Sequence, residues 1–256
     1  MKKAEIKAYL DAKVVEYNNS NFVSKDPISI PHSYHRKQDI EITAFWVSML
    51  SWGLRKTIIN KSKELFGLMG DSPYEFIVNH NEKDRSRFEH FKHRTFQYTD
   101  TLYFLDYLQR YYRENDSMEN AFARHLTSES IHVGEAIRGF HDEFFDIDYA
   151  PHRTRKHVAT PARGSTCKRI NMFLRWMVRD SDTGVDFGIW NTLQPAQLLM
   201  PLDVHVDRVG RKLKLIKRKQ RDFRTVLELT KALKKFDPQD PVKYDFALFG
   251  VGVMEN

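Results

Sequence analysis

The sequence predicts an all-α fold, and three observations carry that prediction. Apolar residues recur at spacings of three and four along most of the chain, the pattern of helices with one buried face. No segment alternates apolar and polar residues as a half-buried strand does. Several periodic stretches open on a capping residue or a proline, as helices do. With 256 residues, 41% hydrophobic and 13% aromatic, the chain can bury one large core or the cores of two small lobes.

Taken in order, residues 3–17 predict an amphipathic helix with Ile6, Tyr9, Leu10, Val14 and Tyr17 on its apolar face. Residues 20–38 read as a polar loop carrying Pro27 and Pro31 and ending in His32, Tyr34, His35, Arg36 and Lys37. That spacing fits no compact set of metal ligands. From Asp39 two helices follow and meet at Ser51-Trp52-Gly53, the first too apolar to lie on a surface. Helices are then expected from Pro73, through Phe88–Phe96, over 102–112 and over 118–126. Phe91, His93, Arg94 and Phe96 form a compact aromatic–basic group, suited either to a base or phosphate contact or to a helix-end ion pair. Another helix is predicted over 131–147, followed by a basic loop from Asp148 to Arg163.

The stretch 161–213 organises the rest. Ser165 or Thr166 is placed to cap a helix from about Cys167, whose buried face is Ile170, Phe173, Leu174, Met177 and Val178. Lys168 falls opposite that face, in line with Asn171, Arg175 and Arg179. A connector with Phe187 and Trp190 among glycines follows; its Asp182 and Asp186 have no role legible in the sequence. Asp203 then caps a helix buried through Val206, Val209 and Leu213. The sequence thereby offers an amine and a carboxylate, each at a helix N-terminus. A final helical region has Asp240 and Pro241 at its start and Tyr244, Phe246, Ala247, Leu248 and Phe249 as its buried residues.

G-S-T-C-K-R-I-N-M-F-L, followed by P-L-D-V-H-V-D-R-V-G-R-K-L, resembles the centre of the helix-hairpin-helix DNA glycosylases, in the endonuclease III and oxidised-guanine branches. The whole chain is similar to an uncharacterised bacterial family placed beside that superfamily. The resemblance implies a glycosylase-like fold of two helical lobes flanking a cleft, forming one helical unit over 1–256. It implies Lys168 as catalytic lysine and Asp203 as catalytic aspartate, with no cofactor. Gly164 matches the first hairpin glycine, and His205, Val206 and Arg208 match the residues after the aspartate. Thr166 stands where the second hairpin glycine is expected, and the lysine–aspartate interval is long. Residues 39–66 resemble the segment from which that fold reaches into the base stack, with Gly53 at its glutamine position. Trp52 or Arg55 would then supply the stacking plane, unless Trp52 is a core aromatic. Arg94, Arg163, Ser165, Thr166, Arg169 and Arg175 complete the expected nucleic-acid contacts.

Composition supports an anionic partner. The formal charge is +7, but residues 152–235 hold 20 Lys and Arg against 7 Asp and Glu, a local +13 that leaves −6 for the remainder. Such an asymmetry fits a face for polyanions, DNA most of all, or else a set of solvated helices. The densest basic run is Lys214–Arg224. A single cysteine, Cys167, excludes an intrachain disulfide and a four-cysteine iron–sulfur cluster, and a reducing cytoplasm is the simplest setting. The charged start M-K-K-A-E-I-K is no signal peptide, no apolar run is long enough to span a bilayer, and no membrane partner is expected.

The expected chemistry is excision of a damaged base. A neutral lysine amine attacks the anomeric carbon and holds the sugar as a Schiff base, while the aspartate handles its proton. The alternative is a nucleic-acid-binding protein of the same fold without chemistry. A third reading, a structural helical protein, leaves Lys168 a surface lysine and Asp203 a simple cap.

Overall fold

The computed structural model describes residues 1–180 and 182–254. Among these there is no strand. The one β-bridge joins His93 to Phe96. The longer helices are α1 (Lys3–Tyr17), α2 (Lys37–Leu50), α3 (Arg55–Gly67), α4 (Pro73–Asn79), α5 (Tyr98–Glu114), α6 (Gly134–Phe144), α7 (Lys168–Val178), α8 (Val204–Lys212), α9 (Phe223–Leu233) and α10 (Tyr244–Met254). No helix is long and apolar enough to cross a membrane.

The chain divides into two compact units. The first joins Met1–Phe22, Leu126–Arg138 and the chain from Thr160 onward; the second joins Val23–His125 to Gly139–Ala159.

The first unit is built on α10, the helix whose sequence is apolar nearly all round. Phe246, Ala247, Leu248 and Val251 are buried there, and α1 and α8 pack against it. Glycines set how closely they approach. A Cβ on Gly250 would stand 2.2 Å from the Tyr17 ring of α1, and one on Gly252 would stand 2.8 Å from Cβ of His205 on α8. The Tyr244 hydroxyl donates to Asp11 Oδ1 at 2.9 Å and ties the start of α10 to α1.

The second unit is built on α2, buried on every side from Asp39 to Leu50. An apolar helix with two carboxylates in its first turns needs donors for both. Asp39 accepts from the Tyr74 amide at 2.7 Å. Glu41 accepts from the Tyr112 hydroxyl at 2.9 Å, Ser117 Oγ at 2.6 Å and the Met118 amide at 3.0 Å. Above them Phe45 packs among Phe104, Phe140 and Phe144, with centroids 5.6–6.1 Å apart.

Several sequence expectations change. The 20–38 loop holds 3₁₀ turns at Pro27–Ser29 and Pro31–Ser33, with Asp26, Pro27, Ile28, Ile30 and Pro31 buried, because it packs against α2 and α3. Residues 88–96 form no continuous helix: Arg94 has φ +54° and His93 and Phe96 exchange backbone hydrogen bonds at 2.9 Å. The helix expected over 118–126 shortens to Asn120–Ala123.

Candidate functional site

The site lies in the first unit, and it starts from a turn. Pro161–Arg163 make a 3₁₀ turn that ends at Gly164, whose φ of +71° favours glycine. Cys167 is also left-handed, at φ +50°, and delivers the chain into α7 with Lys168 as first helical residue. Ser165 does not cap α7 as expected. Its hydroxyl accepts from the Cys167 amide at 3.1 Å, so the polar residue stabilises the turn and not the helix end. Asn171 fastens the turn from the other side, donating to the Thr166 carbonyl at 3.1 Å. The Phe223 amide, at the start of α9, donates to the Gly164 carbonyl at 3.0 Å. Cys167 is buried, which pushes its thiol up to about 12 and leaves it unreactive.

Asp203 caps α8 as its sequence predicts, accepting from the amides of His205 at 2.8 Å and Val206 at 2.9 Å. One Asp203 oxygen, Oδ1, takes both bonds. Lys168 Nζ lies 3.3 Å from Met172 Sδ, one turn along α7. Both residues are half-buried.

A third group joins them that the sequence reading missed. Asp245 is the second residue of α10 and is buried. Its carboxyl is pushed up to about 6, first by burial and further by the negative charges of Asp203 and Asp186; Arg175 and Lys168 oppose the rise. Lys168, Asp203 and Asp245 thus share one electrostatic neighbourhood. Each comes from the N-terminal end of a different helix, where the dipole's positive end favours negative charge. The signal was present in the sequence as a lone carboxylate between Tyr244 and Phe246 in an otherwise apolar helix.

Behind Asp245 runs a buried chain of ion pairs. Arg175 Nη1 bonds Asp245, and its Nε lies 3.2 Å from Asp186 Oδ1. Arg179 Nη1 lies 3.0 Å from Asp186 Oδ2, and its Nε 2.7 Å from Asp240 Oδ2. Burial also raises the Asp240 carboxyl. Three carboxylates against two guanidiniums leave the network one negative charge in excess when all are ionised. This corrects two readings. The face of α7 that carries Asn171, Arg175 and Arg179 is buried, 5% exposed or less, because the 186 and 240–245 carboxylates cover it. Asp240 does not cap a helix; its carboxylate is committed to Arg179.

The remaining residues of the first unit are placed as follows. Arg163 and Gly164 are exposed, while Ser165 and Thr166 are half-buried in the turn. Arg169 is half-buried, and desolvation lowers its guanidinium. Arg175 faces the interior network, away from any phosphate. His205 Nδ1 lies 3.0 Å from the Gly252 carbonyl, to which Arg208 also donates, so both brace α8 against α10. Among the described residues no group of three His, Cys, Asp or Glu is placed to hold a metal ion.

The second unit carries the other predicted residues. Trp52 is half-buried, its ring stacked on His157 at 5.7 Å and edge-on to His93 at 4.8 Å. Asp100, held down at about 2 against its own burial by hydrogen bonds from His157, Thr154 and the Gln97 amide, lies 3.4 Å from His157. Gly53, at φ +101°, leaves room for Arg94: an added Cβ would stand 2.6 Å from Arg94 Nη1. The exposed Arg94 thus lies against the backbone of the residue that follows Trp52. Arg55 turns aside to Asp26, at 3.7 Å. Leu54, 77% exposed beside Gly53, is the apolar side chain that the sequence reading passed over.

A family model described as a protein of unknown function, DUF2400, matches residues 26–254. The chain belongs to that family. No curated protein and no solved structure matches it. The matched span holds Lys168, Asp203, Asp245 and the whole buried network, and leaves out α1.

Proposed function

We propose that this chain excises a damaged base from DNA, with Lys168 as the attacking amine and Asp203 and Asp245 as the carboxyl groups that handle its protons. One observation carries the reading: the half-buried Lys168 and Asp203, each at a helix N-terminus, both act on the charge of the buried Asp245 carboxyl at the start of a third helix.

The chemistry follows from that trio. In the attacking form the Lys168 amine is neutral, and its lone pair bonds the anomeric carbon as the bond from that carbon to the base nitrogen breaks. The bonding electrons leave with the base, which takes a proton from the acid form of Asp245. A carboxyl group with a pKa near 6 is part-protonated close to neutral pH, as a general acid must be. The proton lost from the alkylated lysine nitrogen passes to Asp203. Opening of the sugar ring then gives an imine, and water releases it. The exposed basic residues Arg163, Lys219, Arg221 and Arg224 supply phosphate contacts, and Trp52 and Arg94 supply stacking planes for unpaired bases.

The test is base release from duplexes carrying defined lesions. Wild type is expected to release at least one lesion, and Lys168→Gln to bind the same duplex nearly as well with release lost. Asp203→Asn is expected to be slower by about 10²–10⁴-fold, the scale of a lost acid–base partner. Salt-dependent binding without release of any lesion would replace this proposal with that of a non-catalytic nucleic-acid-binding protein.

A further inference from the structure

The first unit holds a cavity of ≈ 470 Å³ away from the Lys168 trio, where the C-terminal end of α8, the outer face of α9 and the start of α1 come together. It lies at the far end of α8 from Asp203, nine residues along the helix and so about 13 Å away. Five lysines rim it: Lys3, Lys214, Lys217, Lys231 and Lys235. Its floor is apolar, made by Ile6, Leu213, Leu215, Ala232 and Phe236.

Some lysines elsewhere in this unit find carboxylates, as Lys7 does with Asp11 at 2.6 Å and Lys13 with Glu16 at 2.9 Å. None of the five rim lysines has an ion pair among the described residues. The one acid in the lining, Glu228, gives its two oxygens to the backbone amides of Lys217 at 3.0 Å and Arg218 at 3.2 Å. Helix C-termini account for some of this charge, since the ends of α8 and α9 favour cations. They do not account for Lys3, the first residue of α1, where the dipole opposes a cation.

Lys214 adds an independent observation. It has φ +58°, just past the end of α8, in the position where a helix is usually closed by glycine. The turn is held by Lys214 N to Arg211 O at 2.9 Å and Leu215 N to Gly210 O at 2.8 Å. A lysine stands where glycine would relieve the backbone, and its side chain lines the cavity. Backbone strain of this kind collects at ligand clamps.

We infer that this cavity binds a small molecule carrying several phosphates on an apolar body, the class of a nucleoside polyphosphate. The phosphates would lie among the rim ammoniums, and the base on the Phe236, Ile6 and Leu215 floor. The size suits a small-molecule site, and unpaired cations around an apolar floor match an amphiphilic anion better than a bare one. None of these residues belongs to the Lys168 trio, so the inference stands independently of the proposed activity.

The test uses the full chain and titration calorimetry with ATP, inorganic tripolyphosphate and adenosine, in buffer free of divalent metal. ATP is expected to bind, tripolyphosphate at least about tenfold more weakly, and adenosine not measurably, because charge and apolar contact are both needed. Lys214→Gly relieves the positive φ, so it is expected to keep or raise the melting temperature while weakening ATP about tenfold. Lys231→Glu combined with Lys235→Glu should abolish binding. Absence of ATP binding, or affinity unchanged in these variants, overturns the site. Tripolyphosphate binding as tightly as ATP overturns the nucleoside assignment. A short duplex that displaces ATP, and whose own affinity falls in the same variants, also overturns it by making these lysines part of a nucleic-acid surface.

Discussion

The Asp245 carboxyl makes a prediction that can be worked through in numbers. Its pKa rises from the ordinary 3.8 to about 6 in the folded chain. Between those two values the folded state holds the proton more tightly than the unfolded state. The resulting stability is complete below about pH 4 and is lost as pH rises through about 6. Two pKa units correspond to about 3 kcal/mol. Asp245→Asn keeps the shape and a hydrogen-bond acceptor for Arg175 but cannot titrate. Unfolding free energies of wild type and variant would be measured by urea denaturation between pH 4 and 8, following tryptophan fluorescence. Their difference cancels the titrating groups that do not couple to Asp245, including Asp100, whose lowered pKa acts in the opposite sense at lower pH. Wild type is expected to lose about 3 kcal/mol relative to the variant across that range, on the scale of that pKa shift. A flat difference curve, or one of opposite slope, would refute the argument that burial and the Asp203 and Asp186 charges govern this carboxyl.

Three further outcomes follow from the same structure. Asp186→Asn strips two buried guanidiniums of a shared partner and should cost about 3–5 kcal/mol, a fall in melting temperature of roughly 10 °C, read by scanning calorimetry. Gly252→Ala puts a methyl 2.8 Å from Cβ of His205; forcing α8 off α10 should cost about 1–3 kcal/mol, measured by denaturant unfolding, and impair any activity that needs Asp203. Lys219, Arg221 and Arg224 are exposed, and none has an ion pair among the described residues. If they meet DNA phosphates, changing all three to Gln should flatten the log K against log salt slope by about 0.9 for each phosphate no longer neutralised, whereas an unchanged slope would make them a solvated face.

What could be read from the sequence and what could not divides along physical lines. Helix α1 was legible to its ends, because its apolar spacing is regular and nothing else competes for its backbone. Asp203 was legible as a cap because capping is a local interaction, settled within three residues. The break at Ser51-Trp52-Gly53 was legible for the same reason, and Gly53 indeed has a backbone that favours glycine. The polar face of α7 was found correctly as a face, but its surroundings were not. Periodicity says which residues share a side of a helix and nothing about what covers that side. Arg175 and Arg179 are buried by Asp186, Asp240 and Asp245, which lie 7 to 70 residues away in sequence. Asp245 escaped notice for a related reason: one carboxylate in an apolar helix gains meaning only from the helices packed beside it. Tertiary packing likewise turned the polar-looking 20–38 segment into buried 3₁₀ turns.

The most direct measurement on the proposed activity locates the covalent bond itself. Protein incubated with lesion-bearing duplexes and then borohydride would be digested, and the reduced adduct mapped by mass spectrometry. The proposal predicts one modified peptide, with the sugar remnant on Lys168, its yield reduced in Asp203→Asn and lost in Lys168→Gln. A remnant on another lysine, or equal trapping by Lys168→Gln, would contradict it.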